Sequence, residues 1–356
     1  MTISLCMIVK DEAAILARCL DSVADLMDEI IIVDTGSTDN TKEVAARYTD
    51  KIYDYAWHDD FAAARNFSFS HATMDYIYAP DADELLDEEN RERFAYMKET
   101  LEDNVDIVQM LYHTVSDFNT VLNAKKEYRP KLFKRLRTFQ WIDPIHETVE
   151  TAPVIYDSDI VILHMPQHFH HKRDFSIFLK AFYRDGSISP RIFRMYAKEL
   201  LKLGEDKDFE EAYPVFSSVY RSTTDPDLRK DAACILAHLY RLQGSVDDFF
   251  SLALKDMVTT ACSEMCYELG QYYESKDNYD EAIIWYYNAA SEAPSILDIR
   301  TSGILPLRAL QRCYQALMDF TKKNDPDSIV LIDYLQEQID AYAKMADEWQ
   351  MPEAYQ

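Results

Sequence analysis

Asp81 and Asp83 are the residues in this sequence whose type and spacing most directly suggest chemistry. They stand one residue apart in the stretch DYIYAPDADELLDEE, residues 75–89. The residues before them, Tyr76-Ile77-Tyr78-Ala79, are apolar and β-prone and read as a short buried strand. Pro80 lacks a backbone donor and stops the ladder. A strand that ends in two carboxylates delivers oxygens to the carboxyl edge of a sheet, where open α/β sheets bind ligands. Hard divalent cations take oxygen ligands, and Mg²⁺ shares its shell between one or two carboxylates and substrate phosphates. The chemistry suggested is therefore a metal–diphosphate site. The plainer alternative is a solvated turn into a helix with Asp87 to Glu89 as first-turn acids, and the pair taken alone favours it.

The elements that must position this pair are legible upstream. Ile3 to Val9 is a continuous apolar strand. A helix is expected from about Asp11 to Asp21, with Ile15, Leu16, Cys19 and Leu20 on one stripe. Glu29 to Val33 reads as a second strand, apolar enough to be covered on both faces. It runs into Asp34-Thr35-Gly36-Ser37-Thr38-Asp39, where Gly36 permits a tight turn. Ser37 to Asp39 offer N-caps to a helix from Asn40 to Tyr48. A short strand at Lys51 to Tyr53 and a helix from Phe61 to Ala72, carrying Arg65 and Asn66, complete the alternation. Strands alternating with helices at this spacing predict a parallel, doubly wound sheet.

Beyond a helix at about Asn90 to Leu101 the pattern becomes β-rich: Asp106 to Val115, Lys131 to Arg135, Phe139 to Ile142 and Val154 to Leu163. These runs suit antiparallel additions at a sheet edge. From Arg173 onward the periodicity is helical: 173–184, 190–203, 208–221, 227–243, 246–256, 260–275, 279–292, 305–321 and 327–348. Tyr279 to Pro294 has the small-residue and aromatic spacing of a tetratricopeptide helix ending at proline, and the stretch ending at Pro226 echoes it. The expectation is a helical-repeat-like array.

The chain has 356 residues, 48% hydrophobic and 28% charged, enough for about two domains with real cores. Its formal net charge of −26 argues against general nucleic-acid binding. The same charge means that a phosphate-bearing ligand needs a metal or a local basic patch. No apolar run reaches membrane-spanning length. Met1 leads straight into a strand-like segment and not a signal peptide, so the cytoplasm is the expected location. The six cysteines are scattered in apolar patterns and read as buried free thiols; metal binding at Cys262 and Cys266 is not expected. Six glycines in the whole chain point to much helix. Residues 125–137, KKEYRPKLFKRLR, hold seven Lys or Arg and one acid. They read either as a solvated hairpin face or as a patch beside a diphosphate or an acidic acceptor.

Residues 3–12 (ISLCMIVKDE), 30–39 (IIIVDTGSTD), 64–66 (ARN), 79–84 (APDADE) and 145–147 (IHE) together resemble the family 2 glycosyltransferases. With the helices that follow, they are similar to the bacterial branch that joins a GT-A domain to tetratricopeptide-like helices. Some members of that branch glycosylate cysteine or serine of peptide antibiotics. The resemblance covers roughly residues 1–290, and ordered motifs are far more specific than any one alone. It implies a Rossmann-like GT-A domain over residues 1–172 and an all-α, TPR-like domain over 173–356. The implied activity is an inverting, metal-dependent transfer from a nucleoside-diphosphate sugar, most readily a UDP-sugar, to a peptide or glycan acceptor. A Mn or Mg ion would assist, and the helical domain would bind the acceptor or form a homodimer. The alternative from another class is a catalytically silent scaffold that only binds.

Carried over by position, the resemblance puts the backbone at Val9 and the carboxylate of Glu12 along the nucleotide. Asp34 would accept from the base imide with Ser37 beside it, and Arg65 would lie near the diphosphate. Asp81 would touch ribose or metal, and Asp83 would hold the metal. Glu147 is the first candidate for the general base, with His146 as the other. His164, ending the strand VILH, is a candidate third metal ligand; His168, His170 and His171 read as a polar loop. The family pattern of Gly and Tyr after the first histidine is replaced here by Met165-Pro166-Gln167. Each assignment has a structural alternative: Glu12 as a first-turn acid, Asp34 as a turn cap, Arg65 paired with Asp59 or Asp60, His146 as a structural histidine.

Overall fold

The computed structural model describes residues 1–114, 127–149, 153–165 and 171–352. The chain divides into two compact units, Met1 to Ala181 and Phe182 onward.

The first unit is built on a mixed sheet. Its strands are β1 (Ile3–Val9), β2 (Glu29–Asp34), β3 (Ile52–Asp54), β4 (Tyr76–Tyr78), β5 (Glu84–Leu85), β6 (Ile107–Thr114), β7 (Glu127–Lys134) and β10 (Ile155–His164). They lie in the order β3-β2-β1-β4-β7-β6-β10-β5. A separate two-stranded ribbon pairs β8 (Trp141–Ile142) with β9 (Thr148–Val149). Around the sheet lie α1 (Leu16–Asp21), α2 (Thr41–Ala45), α3 (Phe61–Ser70), α4 (Glu88–Thr100) and α5 (His171–Asp185).

Period-two alternation divides the sheet's side chains between two cores. Ile3, Leu5, Met7 and Val9 face one side, with Leu16 and Leu20 of α1 and Phe94 and Met97 of α4. Cys6, Ile31, Val33 and Phe133 face the other, with Ala62 and Phe69 of α3 and Trp141 of β8. Strands β1, β2, β3 and β4 are parallel, as the alternation predicts. The later strands are not simple antiparallel edge additions. Strand β7 is antiparallel but internal, wedged between β4 and β6, and β10 runs parallel to β6. The carboxyl ends of β1, β2, β4, β6 and β10 therefore share one edge of the sheet. The edge strand beyond β10 is β5, a two-residue antiparallel pairing too short to leave a periodic signal.

Helix α1 begins later than the stripe suggests. Asp11 has a left-handed φ of 57°. Residues 11–13 are stitched instead to the loop after β2: Asp11 N–H donates to Ser37 Oγ, Glu12 N–H to Thr41 Oγ1 and Ala13 N–H to Asp39 Oδ2. Ser37 thus braces a neighbouring loop and does not cap α2. Besides Asp11, Asp59, Thr138, Asp143, His146 and Asp277 are non-glycine residues with positive φ.

The second unit is helical among its described residues. It runs through α6 (Pro190–Leu203), α7 (Asp206–Ser222), α8 (Pro226–Gln243), α9 (Val246–Thr259), α10 (Ser263–Glu274), α11 (Tyr279–Ser291), α12 (Ile304–Asn324) and α13 (Ile329–Glu348). Sequence neighbours pack on one another, as in stacked repeats. Gly270 lets α10 and α11 approach: a Cβ there would lie 2.5 Å from the buried ring of Tyr286. All six cysteines are buried, and Cys234 Sγ lies 3.5 Å from Cys262 Sγ.

Candidate active site

The shared carboxyl edge gathers most of the residues singled out in the sequence. Asp34, the last residue of β2, is buried. Its Oδ1 accepts from Gly36 N–H at 3.0 Å and Ser37 N–H at 2.9 Å, folding the DTGS stretch into a turn. Gly36 takes a φ of 104° that a side chain would resist. The other oxygen, Oδ2, is buried and has no hydrogen-bond partner among the described residues. A buried carboxylate oxygen left unpaired is costly and suits a ligand donor. Beside it, Val9 carbonyl accepts from both Thr35 N–H and Thr35 Oγ1, locking β1 to the turn.

The acidic pair lies on the turn between β4 and β5. Glu84 N–H donates to Asp81 carbonyl, and Asp81 N–H returns to Glu84 Oε2. Strand β5 pairs with β10 so that Glu84 stands opposite His164, and Met165 N–H donates to Asp83 carbonyl. This register brings His164 Nε2 to 3.1 Å from Asp83 Oδ2. The His164 ring also packs on Tyr112 of β6 at 4.9 Å, and the Arg129 guanidinium covers that tyrosine at 3.7 Å.

Strand β7, being antiparallel, divides the basic run. Arg129 and Lys131 fall at the acidic edge. Arg135 and Arg137 fall at the opposite one, on Met74 carbonyl and Asp106. Lys131 is buried, with Nζ 2.6 Å from Glu84 Oε1 and 3.6 Å from Asp81 Oδ2. Lys125 and Lys126 lie outside the described residues, as do His168 and His170; His171 opens α5.

Arg65 joins the acidic turn to the ribbon. Asp60 caps α3 by accepting from Ala63 N–H. Asn66 exchanges hydrogen bonds with the Trp141 backbone in both directions, and Phe61 N–H donates to Pro144 carbonyl. These bonds dock the ribbon on α3 and carry Glu147 to Arg65. Arg65 Nε donates to Glu147 Oε1 at 2.5 Å and Nη2 to Asp81 Oδ1 at 2.8 Å. The guanidinium carbon lies 5.1 Å from the Trp141 ring centroid. The buried Arg65 pairs with these two acids and not with Asp59 or Asp60. His146 holds a left-handed φ of 49°, and its ring packs against Phe178 of α5 at 5.9 Å.

Charge is concentrated here. Burial, reinforced by Asp83, pushes the half-buried Glu12 carboxyl up to about 7. Burial does the same to Glu84, up to about 7, against the pull of Lys131. Desolvation would raise the Asp81 carboxyl too, but Arg65 and Lys131 outweigh it and hold it well below the usual range.

The expected metal set of Asp81, Asp83 and His164 is not assembled as three. Asp83 and His164 adjoin, whereas Asp81 is turned to two cations. Among the described residues no group of three or more His, Cys, Asp or Glu could hold a metal ion. An adjoining carboxylate oxygen and imidazole nitrogen nevertheless fit a divalent cation that completes its shell with ligand oxygens. Sequence reasoning missed Glu84, Lys131, Tyr112 and Trp141 as parts of this site. Glu84 and Lys131 stood inside stretches already noted, but only strand pairing reveals that they meet.

Residues 4–162 match glycosyl transferase family 2. A TPR repeat-containing protein of Synechococcus elongatus is 52% identical over 84 residues, 24% of this chain and 21% of that protein. The SPbeta prophage-derived glycosyltransferase SunS of Bacillus subtilis is 34% identical over 142 residues, 37% of this chain and 34% of that protein. The chain thus spans about a third or less of the length of these curated relatives. Among solved structures, S. aureus TarS 1-349 in complex with UDP-GlcNAc has a TM-score of 0.37 at 12% identity. The likeness covers 81% of this chain and 91% of that one. Residues 4–162 thus match a family 2 glycosyltransferase domain, and the described residues of the second unit are helical.

Proposed function

We propose that this protein is an inverting, metal-dependent glycosyltransferase that moves a sugar from a UDP-sugar to a peptide or glycan acceptor. The observation that carries the reading is one sheet edge. It holds the unpaired Asp34 Oδ2, the Asp83–His164 pair and the Asp81–Arg65–Glu147 bridge together. The Asp34 oxygen accepts from the imide of the nucleotide base, with Ser37 and the Val9 backbone shaping the turn. Glu12 lies along the nucleotide. Arg65 and Lys131 supply positive charge for the diphosphate in an otherwise acidic chain. Asp83 and His164, with Asp81 nearby, would hold a Mn or Mg ion, which would supply positive charge to stabilise the leaving diphosphate. Glu147 takes the proton of the acceptor nucleophile as that atom attacks the anomeric carbon and the bond to the diphosphate oxygen breaks. His146 is the alternative base. Attack opposite the leaving group inverts the anomeric centre.

Residues 1–172 carry the donor site in this reading, and residues 173–356 meet the acceptor or a second copy of the chain. A cytoplasmic setting goes with this reading. No helix among the described residues is long and apolar enough to cross a membrane. The test is a thermal-shift panel of nucleotides and nucleotide sugars, with and without Mn²⁺. A ligand at about 100 times its Kd stabilises by roughly 2.7 kcal/mol. Stabilisation by UDP or UDP-sugars that grows with Mn²⁺ is expected, and indifference to every nucleotide would overturn the reading. One observation favours the scaffold alternative: Glu147 Oε1 is engaged by the Arg65 guanidinium and not turned to an acceptor. UDP release from UDP-sugars would exclude a silent scaffold.

A further inference from the structure

The clamp on Glu147 has a physical reading of its own, which rests on the proposed transfer reaction. Glu147 Oε1 accepts from Arg65 Nε, so this oxygen is engaged by the guanidinium and not turned to an acceptor nucleophile. Arg65 is 9% exposed and serves two carboxylates at once, Asp81 and Glu147. The two are not equally dependent on it. Lys131 stands 3.6 Å from Asp81, so Asp81 keeps a cation if Arg65 shifts. Arg65 is the sole ion-pair partner of Glu147 among the described residues. A diphosphate is a doubly anionic competitor whose oxygens suit the fixed fork of a guanidinium.

We infer that Arg65 couples donor binding to release of the base. The arriving diphosphate draws the guanidinium away from Glu147, and the freed carboxylate then accepts the acceptor's proton. Glu147 is masked until the donor is seated, so the donor binds first. Arg65 is in this sense a positioning residue that acts through Glu147.

Competition for one guanidinium makes a prediction that a merely structural salt bridge does not. Removing Glu147's charge should improve nucleotide binding, because the diphosphate no longer has to displace it. The experiment is calorimetric titration of the full chain with UDP in the presence of Mg²⁺. It compares the wild type, Glu147→Gln, Arg65→Gln and the double variant. Glu147→Gln is expected to bind UDP several-fold tighter than wild type. Arg65→Gln should bind more weakly, and adding Glu147→Gln to it should return little of that gain, a non-additive cycle. Loss of a charge acts through space in both backgrounds, so only the difference between them reports Arg65. If Arg65→Gln does not fold, Arg65→Met replaces it, keeping the buried stem without the charge. UDP affinity unchanged or weakened in Glu147→Gln, or an equal gain in both backgrounds, overturns the coupling while the donor reading stands. A wild-type protein that binds no UDP removes the donor reading and the coupling together.

Discussion

At the acidic edge, Glu12 and Asp83 act on each other through charge without touching, and each makes its own prediction. The Glu12 carboxyl is raised in the folded protein, from 4.5 to about 7, chiefly by burial and then by Asp83. Between those pH values the folded state binds more protons than the unfolded one, so this group's contribution to stability falls as pH rises. Below the window both states are protonated and the penalty is absent; above it the penalty is complete. Glu12→Gln removes the penalty. We expect the metal-free variant to match wild type near pH 4 and to exceed it at pH 8 by roughly 1 kcal/mol after solvent screening, about 2–4 °C in Tm. Scanning calorimetry at the two pH values checks this, and equal Tm values at pH 8 would refute it. Asp83 lies past the strand and packs in no core, so Asp83→Ala should fold normally. It should lose the dependence of UDP affinity on Mn²⁺, a drop of about tenfold or more, roughly 1.4 kcal/mol. Titrations with and without the metal decide, and a preserved metal dependence would remove Asp83 from the ion's shell.

The long elements were readable from the sequence because of their patterns: β1 is a continuous apolar run, and α6 through α13 carry stripes. What was not readable depends on partners far away in the chain. Strand β5 is two residues, and it exists because Leu163 and His164 are there to pair with it. Helix α1 starts late because Asp11, Glu12 and Ala13 donate to a loop 26–29 residues away. The basic run looked uniform, yet strand direction sends Lys131 and Arg135 to opposite edges. Asp81, Asp83, Arg65 and Glu147 were each legible as types, but the bridge joining α3 to the ribbon spans 82 residues and has no local signature. In the helical unit, Gly270 offers a clean test of packing. Helix propensity alone favours alanine by about 1 kcal/mol. The added methyl, however, meets the ring of Tyr286, which is fully buried and bonded through its hydroxyl to Glu274. Overpacking of this kind costs typically 1–3 kcal/mol. Gly270→Ala should therefore lower the Tm of the helical unit while UDP affinity stays at the wild-type value. A raised Tm would mean that the ring yields more easily than its burial implies.

For the whole molecule the prediction follows from the division of labour. Every residue assigned to the donor lies before Met165, within the first compact unit. A chain ending at residue 189 retains α5 entire and should bind UDP within about threefold of the full chain, a difference of roughly 0.6 kcal/mol. It should not transfer sugar to an acceptor that the full chain accepts. Light scattering on both proteins separates two uses of the helices: loss of transfer with unchanged mass favours an acceptor platform, and loss with a fallen mass favours assembly. Full transfer by the shortened chain would refute the assignment.

A chain of 356 residues with six glycines makes many of its sharp turns from other residues. Among the described residues, four of the six non-glycine residues with positive φ are aspartates, and Asp11, Asp59, Asp143 and His146 lie in loops near the carboxyl edge of the sheet. Such positions cost an L-residue of order 1 kcal/mol apiece relative to glycine. The loops at this edge thus hold four non-glycine residues in left-handed conformations, and bonds such as those between Asp11 and Ser37 and Thr38 brace them. Directed evolution toward heat resistance would meet its easiest gains in these turns, and would find there its greatest risk of slackening the grip on substrate.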